Sequence, residues 1–208
     1  MKILEAPKIR FPDIRKRADG IRVGFKDKSM PLNISDALEF DLGFEIIPAK
    51  DLLNGANTHA LLYNNAKKML IDKDYYLDRR QQNGVRFPLA HELGHYYLHE
   101  HYRSFKRIED WISFQNDVSS SDLNWFEAQA DEFAGRLLVP LDMLKECVEE
   151  EVVPHLKRFA RKDIDSDNVL EAAAGILFDK CNFGIPTSNI AQRLRREGVW
   201  ESVCSSVR

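Results

Sequence analysis

The sequence predicts an α+β fold in which a small antiparallel sheet packs on a pair of helices and a helical part follows toward the C-terminus. Three observations carry this prediction. Two stretches, 87–98 and 124–140, repeat apolar residues at helical spacing. Upstream of them the apolar runs His59-Ala60-Leu61-Leu62-Tyr63 and Lys68-Met69-Leu70-Ile71-Asp72 flank Asn64-Asn65, the composition of a hairpin with a turn that favours asparagine. From residue 141 onward the pattern is helical. A chain of 208 residues with 44% hydrophobic and 30% charged content can bury a substantial core in one domain.

Taken in order, residues 1–20 mix charges throughout and contain no apolar signal core, and no later run is long and apolar enough to cross a bilayer. A cytoplasmic protein without a membrane partner is therefore expected. Residues 35–40 read as a short helix and 44–47 as a strand, followed by the hairpin. The helix over 124–140 has capping residues between Ser119 and Asp122, an apolar stripe of Phe126, Ala130, Phe133 and Leu137, and a stop at Pro140. Further helices are expected over 141–152 and 168–180, the latter introduced by Asp165 and Ser166. A last short helix over 187–197 ends at Gly198 and suits either a helix-turn-helix-like hairpin or packing on the core. The charged, apolar-poor stretch 161–167 is the expected hinge, so that 1–160 form the core and 161–208 a helical extension packed on it.

Net charge and cysteine usage narrow the partners. A net charge of −3 gives no global attraction to nucleic acid, and the basic clusters at 8–17, 157–162 and 193–196 are each interrupted by acidic or apolar residues. Direct nucleic-acid binding is not expected. Cys147, Cys181 and Cys204 are odd in number and lack a C-x-x-C spacing, which fits reduced thiols rather than a disulfide frame.

The chemistry is concentrated in His91-Glu92-Leu93-Gly94-His95, an HExxH motif inside the helix over 87–98. Histidines four residues apart project from one helical face, close enough to grip one metal ion, and the glutamate beside them is placed next to that ion without binding it. Zn²⁺ takes imidazole nitrogen and carboxylate oxygen in tetrahedral geometry, and a catalytic site keeps one position for water. Glu92 is then the candidate general base. The alternative is a helix that merely carries two polar histidines on its wet face.

The second helix bears on that choice. Beside its apolar stripe runs Glu127, Asp131, Ala134, Leu138, so two carboxylates sit at i and i+4 on a face that continues small and apolar. Burying them is costly unless a cation meets them, and zinc bound by His91 and His95 is such a cation. HExxH with a downstream Glu-x-x-x-Asp resembles the gluzincin pattern. That resemblance implies a zincin-like helix pair in which Glu127 is the third protein ligand and Asp131 accepts a hydrogen bond from a ligand histidine, His91, fixing its tautomer. His101 is a competing ligand at the metzincin spacing. That arrangement needs glycine at position 98, where Leu98 continues the helix, so His101 ranks behind Glu127.

The wider wording is more specific still. Arg86-Phe87-Pro88-Leu89-Ala90-His91-Glu92-Leu93-Gly94-His95, followed by Glu127-x-x-Ala130-Asp131-x-Phe133-Ala134-x-x-Leu137-Leu138-x-Pro140, closely resembles the ImmA/IrrE family of metallo-endopeptidases over about residues 84–140. Residues 31–46 and Phe183-Gly184-Ile185-Pro186 with Ala191, Arg193 and Leu194 resemble it more weakly. Pro88 departs from the threonine or serine common there, a change a first helical turn accepts. The resemblance implies an intracellular zinc protease that cuts a regulatory protein, commonly a helix-turn-helix repressor, or an antitoxin-like regulator.

Two other classes share the motif: a zinc-containing regulator that binds protein or DNA without cutting, and a metallohydrolase acting on a non-peptide bond. An intact Glu92 argues against the first, because a structural site needs no base. Tyr97, His99, His101, Tyr102 and Arg103 are candidates to stabilise an oxyanion, and their sequence positions do not select among them. One hairpin strand is expected to offer its edge to an extended substrate, or else the hairpin only covers the core.

Overall fold

The computed structural model describes residues 5–63, 67–78, 84–156 and 166–207. Its centre is helix α7, Ser120–Leu138, which packs against α5, Arg86–Leu98, and against α1, Phe11–Val23. α7 begins where the sequence places its cap: the Ser119 hydroxyl accepts the Asp122 amide N–H at 3.1 Å. It buries Phe126, Ala130, Phe133, Ala134, Leu137 and Leu138, the apolar face anticipated from spacing. Replacing Ser119 with Ala is expected to cost about 1 kcal/mol in a denaturant titration, the usual worth of such a cap.

The helices over 87–98 and 124–140 are both present, as is the antiparallel hairpin of β2, Ala60–Tyr63, with β3, Lys68–Asp72. The turn expected at Asn64-Asn65 lies outside the described residues. The expectation of a wholly antiparallel sheet needs correction. β1, Glu45–Ala49, pairs in parallel with β3, giving a mixed sheet in the order β1-β3-β2. The short helix α3, Leu52–Ala56, joins β1 to β2, and β3 returns antiparallel to β2, so that β1 and β3 run the same way. Pro48 has no N–H to give a ladder and is compatible with β1 only because β1 is an edge. β3, flanked on both sides, is the strand most fully buried.

Ahead of β1, the helix expected at 35–40 is α2, Ile34–Asp36, running on as a π turn over Ala37–Asp41. After β3 comes α4, Lys73–Leu77. Between α5 and α7 lies a stretch of unassigned role, which forms a 3₁₀ turn, Glu100–Ser104, and α6, Ile108–Asp117. Tyr102, Phe105, Trp111, Phe114 and Phe126 meet there with ring centroids 5.0 to 5.8 Å apart, an aromatic floor beneath the ends of both long helices.

Toward the C-terminus the helix expected over 141–152 is α8, Leu141–Cys147, with a π turn over Val148–Val152 and a continuation α9, Val153–Leu156. α10, Asp167–Cys181, and α11, Thr187–Arg196, follow, and α12, Val199–Val207, closes the fold. Most of the expected hinge at 161–167 and the basic cluster at 157–162 lie outside the described residues. α11 is tied to α7: the buried Arg193 donates to the Gly135 carbonyl at 2.8 Å and to Glu197 at 2.6 Å.

Arginines of the other two basic clusters pair within the chain, partly at its surface. Arg15 and Arg196 both bond the buried Glu132, Arg10 pairs with Asp13, and Arg195 pairs with Asp167. Arg22 caps the last turn of α7 by donating to the Leu137 carbonyl at 2.7 Å. Among the described residues no helix is long and apolar enough to cross a membrane.

Candidate metal centre

α5 and α7 approach closely at Gly94 and Ala130. A Cβ on Gly94 would lie 3.1 Å from both Cα and O of Ala130 and 3.2 Å from Phe133 Cδ1, so only glycine fits without displacing α7. His91 and His95 stand on either side of Gly94 along the chain, and Glu127 and Asp131 on either side of Ala130. The tight crossing therefore faces one pair with the other.

The four side chains converge. His91 Nε2 is 2.9 Å from His95 Nε2 and 3.0 Å from Glu127 Oε2, and His95 Nε2 is 3.5 Å from Glu127 Oε1. His91 Nδ1 faces Asp131 Oδ1 at 2.8 Å. With zinc bonds of about 2.0–2.1 Å, neighbouring ligand atoms on a tetrahedron are separated by roughly 3.3 Å. Two imidazole nitrogens and a carboxylate at these separations fit that donor set. His91, Glu92 and His95 also bring ligand atoms within 4.8 Å of one another.

Glu92 is held differently. It is buried, and its Oε2 accepts the Leu62 amide N–H at 2.8 Å. Leu62 lies in β2, an edge of the sheet packed against α5. Anchored there, Glu92 is the neighbour of the imidazole pair that has a backbone partner of its own.

Electrostatics sort these groups. Burial drives the Glu92 carboxyl up to about 8, outweighing His91 and the Leu62 N–H. Burial likewise lowers His95 to about 4 against the pull of Glu127. For His91 burial acts downward, yet its bonds to Asp131 and Glu127 prevail and its basicity rises well above the ordinary imidazole range. Glu127 goes the other way: burial alone would raise it, but His95 and His91 hold it below the usual carboxylate range. The two carboxylates thus favour the protonated form of His91 in the metal-free cluster.

Of the residues considered for oxyanion stabilisation, three lie elsewhere. His101 is exposed and stacks on Phe114 at 5.3 Å, which also removes it as a competing ligand. Arg103 lies over the Tyr96 ring, and Tyr97 stacks on Phe133. Tyr102 and His99 border the cluster instead. The Tyr102 hydroxyl donates to Glu127 Oε1 at 3.3 Å while its ring stacks on His95 at 3.8 Å and 7°. His99 Nδ1 is 2.8 Å from His95 Nδ1, and His99 Nε2 is 2.9 Å from Gln129 Oε1.

Three participants escaped sequence reasoning: the Leu62 amide, Gln129, and Tyr102 as partner of Glu127. Only Gln129 left a signal. It is a polar residue three after Phe126 and four before Phe133, in the apolar stripe of α7, and it is fully buried.

Comparison with known families decides the affiliation. Residues 42–162 match the family described as Peptidase M78, IrrE N-terminal-like domain. The chain belongs to this family. The match runs from ahead of β1 past α9 and contains all five residues of the cluster, in agreement with the ImmA/IrrE resemblance of the motifs. As an M78 peptidase domain the chain has a protein as its class of substrate and a metallopeptidase-type activity. No curated protein and no solved structure gives a match.

Proposed function

We propose that this protein is a cytoplasmic zinc endopeptidase that cuts one peptide bond in a specific regulatory protein. His91, His95 and Glu127 would hold the ion, Asp131 would orient His91, and Glu92 would serve as general base. The observation that carries this reading is the convergence of two Nε2 atoms and one carboxylate within 2.9 to 3.5 Å, with a separately anchored carboxylate beside them.

When bound, zinc lowers the pKa of a coordinated water to about 7 and polarises a carbonyl oxygen. The protein's groups do the rest. Glu92, fixed through Oε2 to Leu62, keeps its other oxygen to take a proton and pass it to the departing amine. Glu92, whose carboxyl burial pushes up to about 8, would ionise more readily with a cation held at the imidazole pair, and so reach the range a base needs at neutral pH. Asp131 accepts the His91 Nδ1–H and leaves Nε2 for the ion. An extended substrate laid along the β2 edge would run past Glu92, since the Leu62 N–H already points to that carboxylate. The helix-turn-helix repressor or antitoxin-like regulator as substrate rests on the family resemblance of the motifs.

Metal uptake is expected to depend on pH in a defined sense. Asp131 and Glu127 raise the basicity of His91, so a proton competes with the metal to higher pH than at an ordinary imidazole. Apparent zinc affinity should rise as pH rises through neutrality, with proton release visible by calorimetry in buffers of different ionisation enthalpy. Zinc should also raise the thermal midpoint of the wild-type chain. Replacing Glu127 with Ala should remove most of that shift. A midpoint insensitive to zinc in the wild type would count against the metal site.

Cleavage itself is tested by incubating the zinc-loaded protein with candidate repressors and sizing the products by mass spectrometry. Fragments that appear with zinc and vanish with a chelator are the expected result.

A further inference from the structure

We infer that His99 and Gln129 set the tautomer of His95, through a chain of hydrogen bonds whose direction is fixed by the backbone carbonyl of Pro7. This rests on the reading of His95 as a metal ligand, and it makes His99 and Gln129 positioning residues.

A carbonyl oxygen only accepts, and Gln129 Nε2 lies 2.6 Å from Pro7 O. The amide of Gln129 must therefore turn its NH₂ group to Pro7 and its oxygen to His99. That oxygen, 2.9 Å from His99 Nε2, can only accept, so His99 carries its hydrogen on Nε2. The remaining nitrogen, His99 Nδ1, is 2.8 Å from His95 Nδ1. Two ring nitrogens bond only when one carries hydrogen and the other does not.

His99 is the acceptor of that pair. It is 2% exposed, meets the Phe126 ring edge-on at 4.9 Å and the Tyr102 ring at 5.5 Å, and none of its hydrogen bonds reaches a carboxylate. An imidazolium there would be a buried charge with no carboxylate bonded to it among the described residues. His95 Nδ1–H consequently donates to His99, and His95 Nε2 faces His91 and Glu127 as a bare lone pair. That is the form a ligand needs.

The two histidines are thus prepared by different means. His91 gives its Nδ1–H to the anionic Asp131, whereas His95 gives its own to a neutral relay. The relay presents a lone pair without adding negative charge to the cluster. It also explains why position 129 bears an amide. A carboxylate there could not donate to Pro7 and would favour a protonated His99, reversing the chain and placing hydrogen on His95 Nε2.

The test uses the full-length chain. Imidazole ¹⁵N shifts and two-bond ¹H–¹⁵N couplings in the metal-free protein report each tautomer, with His95 expected as Nδ1–H. Competition against a chromogenic chelator then measures zinc affinity for the wild type and for the variants Gln129→Glu, His99→Phe and His99→Asn. The first two should bind zinc roughly 10- to 100-fold more weakly, the usual loss when a ligand histidine loses its orienting partner. His99→Asn should recover part of the loss, because its amide oxygen can accept from His95 Nδ1.

A wild-type His95 with hydrogen on Nε2 overturns the inference. So does a folded Gln129→Glu protein that binds zinc as tightly as the parent. A wild type that shows the Nδ1–H form but binds no zinc would instead sustain the relay and refute the metal centre.

Discussion

Replacing Glu92 with Gln is expected to slow peptide cleavage by about 10²- to 10⁴-fold, the range attributed to a positioned general base, while leaving zinc content unchanged. The substitution is nearly isosteric, and its amide oxygen can still accept the Leu62 N–H that Glu92 Oε2 accepts at 2.8 Å. What it removes is the ability to take a proton. Stability should not suffer in the metal-free protein. Burial already pushes the Glu92 carboxyl up to about 8, so at neutral pH the native side chain is largely uncharged there and glutamine reproduces it. The sign is that of a carboxyl raised on folding: the penalty is absent below the unfolded pKa, accumulates as pH rises from there, and levels off above the folded value of about 8. Metal-free Glu92→Gln should therefore gain on the parent progressively from mildly acidic pH upward, with the gain levelling off above about 8. The decisive measurement is product formation beside metal content in one preparation. Parental cleavage at parental zinc content would move the base elsewhere.

The elements that set this site were legible because their signals are local. α5 and α7 follow from apolar spacing with a cap at Ser119 and a stop at Pro140; the i, i+4 pairs His91/His95 and Glu127/Asp131 lie within those helices, and the gluzincin resemblance suggests the roles of the second pair. What escaped is what depends on distant partners. The parallel pairing of β1 with β3 is a non-local choice that β1's own sequence does not encode. α1 was hidden because the face it buries is Ile14, Ala18 and Arg22, one of them a charged side chain that finds its acceptor 115 residues away on α7. α12 was hidden differently. Gly198, at φ +71°, ends α11, and a new helix starts directly after it, so the stop signal conceals the helix beyond although Val199, Trp200, Val203 and Cys204 repeat on one face. In the site, Leu62 and Tyr102 contribute a backbone N–H and a hydroxyl from segments whose sequence shows no sign of either role.

The other large effect belongs to the helix crossing. Gly94→Val is expected to destabilise the fold by about 3 kcal/mol, the upper part of the range for overpacking a close contact. Alanine is the instructive intermediate. It gains about 1 kcal/mol of helix propensity over glycine, which offsets much of the strain of one Cβ at 3.1 Å from Ala130 Cα and O. Valine recovers less propensity, because its branched side chain is restricted in a helix, and it adds two carbons where two of the three nearest atoms are backbone of α7 and cannot swing aside. α7 must therefore retreat. Glu127 and Asp131 retreat with it, lengthening the 3.0 and 2.8 Å contacts to His91. Zinc affinity should consequently fall in the Gly94→Val protein even at temperatures where it remains folded. Thermal denaturation and chelator competition measure the two effects separately. A lowered midpoint with undiminished zinc affinity would show that the ligand cluster is held by something other than the α5–α7 spacing.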